Sequence, residues 1–258
     1  RSTKAMKTPL KCPYNFVSAN FLKEKLSVED KINAFALSAG TIEFDLYLNG
    51  YDVTLFSNQY FVWEFWKCLQ NSPHSLLSSI KFFHKNLKTG DIGHYRDKWY
   101  RQHTDPYHRA AIFYLLNRYS DNGHFSYSEI TKHNFSPLNL RTFENFAPAT
   151  KDIEMIYDNQ RDFADSFEHL EESSVLLIPI GEYKKTFLKS KNVRSSETYY
   201  FNHQRIKEYL LSERQKVILI YKYNDFTDKF FENKKYISKF GTVTENPELA
   251  EDLIVSNF

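Results

Sequence analysis

The sequence predicts an α/β fold: a mixed sheet of about seven strands with helices on both faces and a mainly helical insertion. Three features predict it. Val175-Leu176-Leu177-Ile178-Pro179-Ile180-Gly181-Glu182-Tyr183 is an unbroken apolar run closed by a Pro/Gly turn, the pattern of a strand buried on both faces. Strand-like and helix-like runs alternate on either side of it. Between Pro73 and Pro148 the chain changes to short polar and aromatic segments, which mark the insertion; residues 1–72 and 149–258 supply the α/β domain.

Each element has its own signal. Phe21, Leu22 and Leu26 recur at helical spacing, Ile32 to Gly40 reads as a strand and turn, and Thr41 to Leu48 starts a helix. Tyr51 to Phe56 is a second strand, followed by the helix around Phe61 to Trp66. Within the insertion, Gly93 to Arg101 leads through Asp105-Pro106 into a helix from His108 to Tyr119. Asp152 to Tyr157, Val175 to Ile180, Lys216 to Tyr221 and Glu248 to Ser256 read as strands, and Phe201 to Leu211 opens a further helix. Lys184 to Thr198, rich in Lys and Ser, reads as a mobile segment.

Composition narrows the functional classes. The 258 residues include 23 Phe and 18 Tyr against 7 Gly and 2 Met; with many Asn and Lys this suggests an AT-rich coding sequence, viral or from a small bacterial genome. A lone aromatic residue is therefore weak evidence of function. The net charge of +2 excludes a generally basic coat but allows a local basic face. Cys12 and Cys68 lack partners at metal-ligand spacing, so neither zinc nor a disulfide framework is expected, and a reduced intracellular setting fits. No apolar run reaches the ~20 residues that span a bilayer. Residues Arg1 to Ala5, ahead of Met6, read as a leader or an appended sequence. The nine His show no ligand spacing, His103 and His108 lying five apart across a Pro turn, and no nucleophile elbow occurs.

The order of segments from Lys7 to Asn257 resembles the Dam-like adenine-N6 DNA methyltransferases. The likeness is greatest at Arg109-Ala110-Ala111-Ile112-Phe113-Tyr114-Leu115-Leu116-Asn117-Arg118, which matches the family's Arg-Ala-Ala-x-Phe-x-x-Leu-Asn-Arg helix, and at the Asn122-Gly123 turn after it. Phe201 to Ile206 and the last strand match as well. The resemblance implies a Rossmann-like methyltransferase fold, with residues 73–148 as a target-recognition-like insertion that grips duplex DNA.

The family's chemical positions have changed. Pro13-Tyr14-Asn15-Phe16 stands where the family has Pro-Gly-Gly-Lys. Phe35 falls near the acid before the glycine-rich turn, of which only Gly40 remains in Leu37-Ser38-Ala39-Gly40-Thr41. Ser57 replaces the ribose-binding Asp, and Asn159 the adenine-contacting Asp, with Asp158 adjacent. Ile178-Pro179-Ile180-Gly181 stands for Asp-Pro-Pro-Tyr, so neither the amine acceptor nor the stacking ring is present.

No catalytic residue and no cofactor-binding residue is therefore expected, nor a bound metal. The resulting reading is a catalytically inactive homologue that binds DNA or serves as partner to an active methyltransferase subunit. Two alternatives stand beside it. One is an active but diverged adenine methyltransferase using S-adenosylmethionine; the other is a structural or assembly protein, virion-associated if viral, which an oligomer would fit. The DNA-facing residues expected are Arg96, Lys98, Trp99, Arg101, Arg118 and Asn122, cations and an aromatic ring of the kinds that neutralise phosphates and stack on bases. The competing structural reading pairs Arg109 and Arg118 with neighbouring carboxylates and puts Trp99 and Tyr100 in the core.

Overall fold

A computed structural model describes residues 7–12, 16–123, 129–160, 162–181 and 202–258, apart from the side chains of Thr89, His94, Asp97, Trp99 and Tyr100. These residues fall into two compact units, one of residues 16–58, 158–181 and 202–258 and one of residues 7–12 and 59–157. Lys184 to Thr198 lies outside the described residues.

The first unit is built around parallel strands. β1 (Lys31–Ala34) pairs in parallel with β2 (Asp52–Ser57) on one side and with β4 (Val175–Gly181) on the other. β4 in turn pairs in parallel with β5 (Lys216–Lys222). A strand so placed has no solvent face, which explains why all seven residues of β4 are buried and why its sequence is a continuous apolar run rather than an alternating one. Pro179 lacks an N–H for the ladder, and the register with β5 slips between Pro179 and Gly181, a bulge that absorbs the missing donor. β5, β8 (Ala250–Ser256), β6 (Lys234–Ser238) and β7 (Val243–Thr244) then follow in antiparallel pairs. The sheet of this unit is mixed, in the order β2-β1-β4-β5-β8-β6-β7, while β3 (Glu154–Tyr157) falls in the second unit. The α/β class and mixed sheet are as expected; the β6–β7 hairpin is an addition.

Helix α1 (Ala19–Lys25) is fastened through a buried carboxylate. Asp252 on β8 is fully buried and accepts from Val17 N (2.7 Å) and Ser18 Oγ (2.5 Å), while Lys222 Nζ reaches its other oxygen at 2.6 Å. Helix α2 (Thr41–Leu48) follows β1, α8 (Ala164–Phe167) precedes β4, and α9 (His203–Leu211) and α10 (Asp225–Phe230) flank β5.

The second unit is helical: α3 (Tyr60–Asn71), α4 (Pro73–Asn86), α5 (Ile92–Gln102), α6 (Pro106–Tyr119) and α7 (Pro137–Phe146). It starts before Pro73 and runs past Pro148, so it takes in α3 and also the segment 7–12. α6 is its axis. Asp105 caps the helix by accepting from Tyr107 N (2.7 Å) and His108 N (3.1 Å), with Pro106 at the first turn, where its missing N–H costs nothing. From Ala110 to Tyr119 every residue is buried, so this part of α6 has no solvent face, and its polar side chains must find partners inside the unit.

They do so by holding distant chain. Arg109 donates from Nε to Glu64 Oε2 (2.9 Å) and from its terminal nitrogens to Glu64 Oε1 and the carbonyls of His103 (3.0 Å) and Thr104 (2.7 Å). Asn117 Oδ1 accepts from Lys11 N (2.8 Å), and its Nδ2 donates to the carbonyls of Lys11 and Gly123 (3.2 Å each). Gly123 has φ +91°, and a Cβ there would stand 2.6 Å from the Lys11 carbonyl oxygen, so only glycine fits.

Glu64, 3% exposed, is the carboxylate that partners the half-buried Arg109. Glu64→Ala leaves that guanidinium without its carboxylate and should destabilise the chain by about 3–5 kcal/mol, read as a lower urea midpoint.

Candidate functional site

In a sheet whose strands run in the order β2-β1-β4-β5, the direction of winding reverses between β1 and β4, and ligands of such folds sit beyond the carboxyl ends of those two strands. The segment from Phe35 to Gly40 joins β1 to α2 at this point. Phe35 N donates to Leu177 O on β4 (2.9 Å) and Leu37 N to Phe56 O on β2 (3.0 Å), so the turn is laced to both neighbours of β1. Phe35, Ala36, Leu37 and Ala39 are all buried.

Phe35 is packed among the protein's own rings. Its ring stacks on Phe56 with centroids 4.4 Å apart and planes within 4°, and receives the edges of Phe163 and Phe167, each at 5.2 Å. Both the Phe35 and Phe163 side chains are fully buried. Gly40 is left-handed (φ +69°), and a Cβ there would lie 2.6 Å from the ring of Phe44. Its smallness therefore accommodates the protein's own aromatic ring. Ser57 is fully buried, its carbonyl accepting from Asp158 N (2.9 Å). Asn159 is exposed, whereas Asp158 is buried, with Oδ2 accepting from Ser166 Oγ (2.6 Å) and Oδ1 from Gln160 N (3.0 Å). Phe16 is half-buried; Pro13 to Asn15 lie outside the described residues.

At the end of β4, Ile178 and Ile180 are buried and apolar, and Gly181 turns the chain at φ +78°. The four positions Ile178, Pro179, Ile180 and Gly181 offer no side-chain hydrogen-bond acceptor. Beyond β5, a buried His203 ring nitrogen lies 2.9 Å from the Tyr221 hydroxyl. Arg205 ties α9 to α8 and the turn before it through Asp165 (2.8 Å) and Asp162 (2.9 Å).

Sequence reasoning missed one titratable group here. Glu43, in the first turn of α2, is 3% exposed. Burial raises its pKa to about 7, opposed by the backbone N–H groups of Glu43 and Ile42 that favour the carboxylate. The only hint in the sequence is its place in the apolar run Thr41-Ile42-Glu43-Phe44 directly after Gly40.

The helical unit carries the residues expected to face DNA. On α5, Lys98 and Arg101 are exposed and Arg96 is half-buried. At about 100° per residue, Lys98 and Arg101 lie ~60° apart on one face, while Arg96 points ~140° away from Arg101. Asn122 is exposed in the turn after α6, and the side chain of Trp99 lies outside the described residues. Arg118 sits differently. It is buried, donates to Thr8 O (3.1 Å) and lies over the Tyr114 ring at 5.9 Å, with burial lowering its pKa. Like Arg109 it works inside the unit, although its partners are a carbonyl and a ring rather than a carboxylate.

Charge separates the two units. Among described residues the helical unit has 14 Lys and Arg against 9 Asp and Glu, and the sheet unit 12 against 21. The near-neutral total conceals a basic unit and an acidic one. His103 and His108, far from a helix-face pair in sequence, meet at 5.8 Å with rings perpendicular. Burial, and the charges of His108 and Arg109, lower the His103 pKa. Among the described residues no three His, Cys, Asp or Glu converge as a metal site. Cys68 is a free thiol, and burial pushes it up to about 12. No helix among the described residues is long and apolar enough to cross a membrane.

The fold and this switch point define a Rossmann-like α/β protein. Compared with the known protein families and with curated proteins, the chain matches none.

The Glu43 shift predicts a pH dependence with a definite sign. The unfolded carboxyl ionises near 4.5 and the folded one near 7, so the folded state holds the proton more tightly and loses stability as pH rises between these values. Glu43→Gln should therefore stabilise the chain by up to about 3 kcal/mol at pH 8 and by almost nothing at pH 4. Thermal unfolding of both proteins across this range measures it.

Proposed function

We propose that the chain is a catalytically inactive relative of the Dam-like adenine methyltransferases that binds duplex DNA through its helical unit. The observation that carries this reading is the four-ring cluster around Phe35. A cofactor at the switch point needs open ground above β1 and hydrogen-bond acceptors at the ends of β1, β2 and β4. Phe35, Ser57 and Ile178 supply burial instead. Loss of one oriented polar contact in a transition state typically costs ~100-fold or more in rate, and here several are replaced together.

The DNA part rests on charge. The helical unit holds the excess of cations, and the pair Lys98 and Arg101 on the outer face of α5 is placed to neutralise phosphates. Arg118 does not belong to that surface in this reading, because it holds the segment 7–12. The same basic face would suit a partner role beside an active methyltransferase subunit.

A structural or assembly role is the second reading. Phe240, Val243 and Leu249, exposed by 77%, 53% and 60%, lie around the short strand β7 at the sheet edge and favour association of copies. Sedimentation separates the readings: a stable oligomer with no DNA affinity supports the structural role.

Two measurements test the main proposal. Calorimetry should detect no S-adenosylmethionine binding, and tritiated cofactor should label no adenine in DNA; micromolar affinity or label overturns the inactive assignment. Duplex binding should be salt-sensitive, and replacing both Lys98 and Arg101 with Ala should weaken it and flatten the log K against log salt slope by about 2. Absence of binding at low salt would leave a protein partner or the structural role.

A further inference from the structure

The helical unit has a half-open cavity of about 600 Å3 beside the end of α3, the start of α4, the end of α7 and the 3-10 turn Ala147–Thr150 that follows it. Its volume lies within the ~300–1,000 Å3 of small-molecule pockets. Leu77, Phe143 and Ala147 form apolar walls, with the rings of Pro73 and Pro148 at the edges.

Four polar side chains reach this space, and they divide into engaged and unengaged. Gln70 is fully committed: Nε2 donates to the carbonyls of Thr150 (2.6 Å) and Ile153 (2.8 Å), and Oε1 accepts from Lys67 Nζ (2.7 Å). Glu144 faces Lys81 at 3.8 Å. His74 and Lys151 are exposed, and neither side chain makes a hydrogen bond or ion pair among the described residues. Both are donors, and the ammonium is positive. The N-terminus of α4 opens at the same wall, with Pro73 in its first turn and no side-chain cap from Ser72, which adds partial positive charge of the same sign.

We infer that this cavity binds a small amphipathic anion: an aromatic or branched apolar body against Phe143 and Leu77, with one carboxylate, sulfonate or phosphate group held by Lys151 and His74. The site is independent of the methyltransferase-derived reading, since it uses neither the switch point nor α5. The signs of the unengaged groups decide the class. An uncharged ligand would leave the ammonium unused, and a cation would meet Lys151 and the α4 terminus with only a carboxylate already facing Lys81.

The probe is 8-anilinonaphthalene-1-sulfonate, titrated into the full chain by fluorescence, beside its uncharged parent N-phenyl-1-naphthylamine. One saturable sulfonate site per chain is expected. Lys151→Glu, at an exposed position, should weaken the sulfonate about tenfold or more while leaving the uncharged amine within about twofold. Leu77→Trp, which fills the cavity, should weaken both probes; circular dichroism checks that it folds, and the Lys151 comparison stands if it does not. Equal sulfonate affinity in Lys151→Glu, equal loss of both probes in that variant, or undiminished binding in a folded Leu77→Trp protein overturns the proposal.

Discussion

Strands β1 and β4 each have parallel neighbours on both sides, and the sheet unit is organised by the consequence: a polar side chain buried in them needs a partner inside the protein, as Asn33 has in Ser174 Oγ (2.8 Å). Toward the carboxyl ends the buried side chains are apolar: Ala34 on β1 with Phe35 directly after it, and Ile178 and Ile180 on β4. Burying a Phe side chain contributes roughly 1.5–3 kcal/mol, and each well-placed ring pair adds ~0.5–1.5 kcal/mol. Phe35 makes three such pairs. The residue that follows β1 at the switch point is thus part of the core.

The helical unit shows the opposite pressure, that of placing charge inside an apolar bundle. α6 is buried from Ala110 onward, yet it carries Asn117 and Arg118 there and the half-buried Arg109 just before. Each is made tolerable by chain from elsewhere: Glu64 on α3, the backbone of Lys11, and the carbonyl of Thr8. These contacts join the two stretches of chain that form the unit, 7–12 and 59–157, into one body. They also take two arginines out of the surface account. On α5 the exposed cations among the described side chains are Lys98 and Arg101.

Much of the sheet was legible because its signal is local. The run from Val175 to Ile180 can only be a buried strand, and β1, β2 and β5 announce themselves in the same way. The β6–β7 hairpin was not legible, since Lys234 and Lys235 ahead of Tyr236 and Ile237 give a half-polar strand of ordinary surface composition. Non-local partners were harder still. Glu64 lies 45 residues from Arg109, and Thr8 lies 110 from Arg118, so the sequence allowed either arginine to face a phosphate or a partner inside the fold. Glu43 was invisible for a related reason: an acid in a first helical turn is normally solvated, and only the packing around α2 removes the water. Phe35 was read as a residue unable to serve as an acid. That it is stacked between β2 and α8 needed the coordinates.

The closest likeness to the methyltransferases, the stretch from Arg109 to Arg118, coincides with the most buried helix in its unit. A helix in that position is constrained at every residue by packing: Ala110 and Ala111 by close approach, Phe113 and Leu116 by volume, Asn117 by the backbone it holds. Such a pattern persists wherever the same bundle is built, whatever the bundle does. Resemblance carried by core residues therefore argues for architecture, and function must be argued from positions where chemistry would act. At those positions, the ends of β1, β2 and β4, the side chains are Phe35, Ser57 and Ile178. The functional reading consequently draws on what these residues have become, and on the exposed cations of α5, rather than on the helix that first suggests the family.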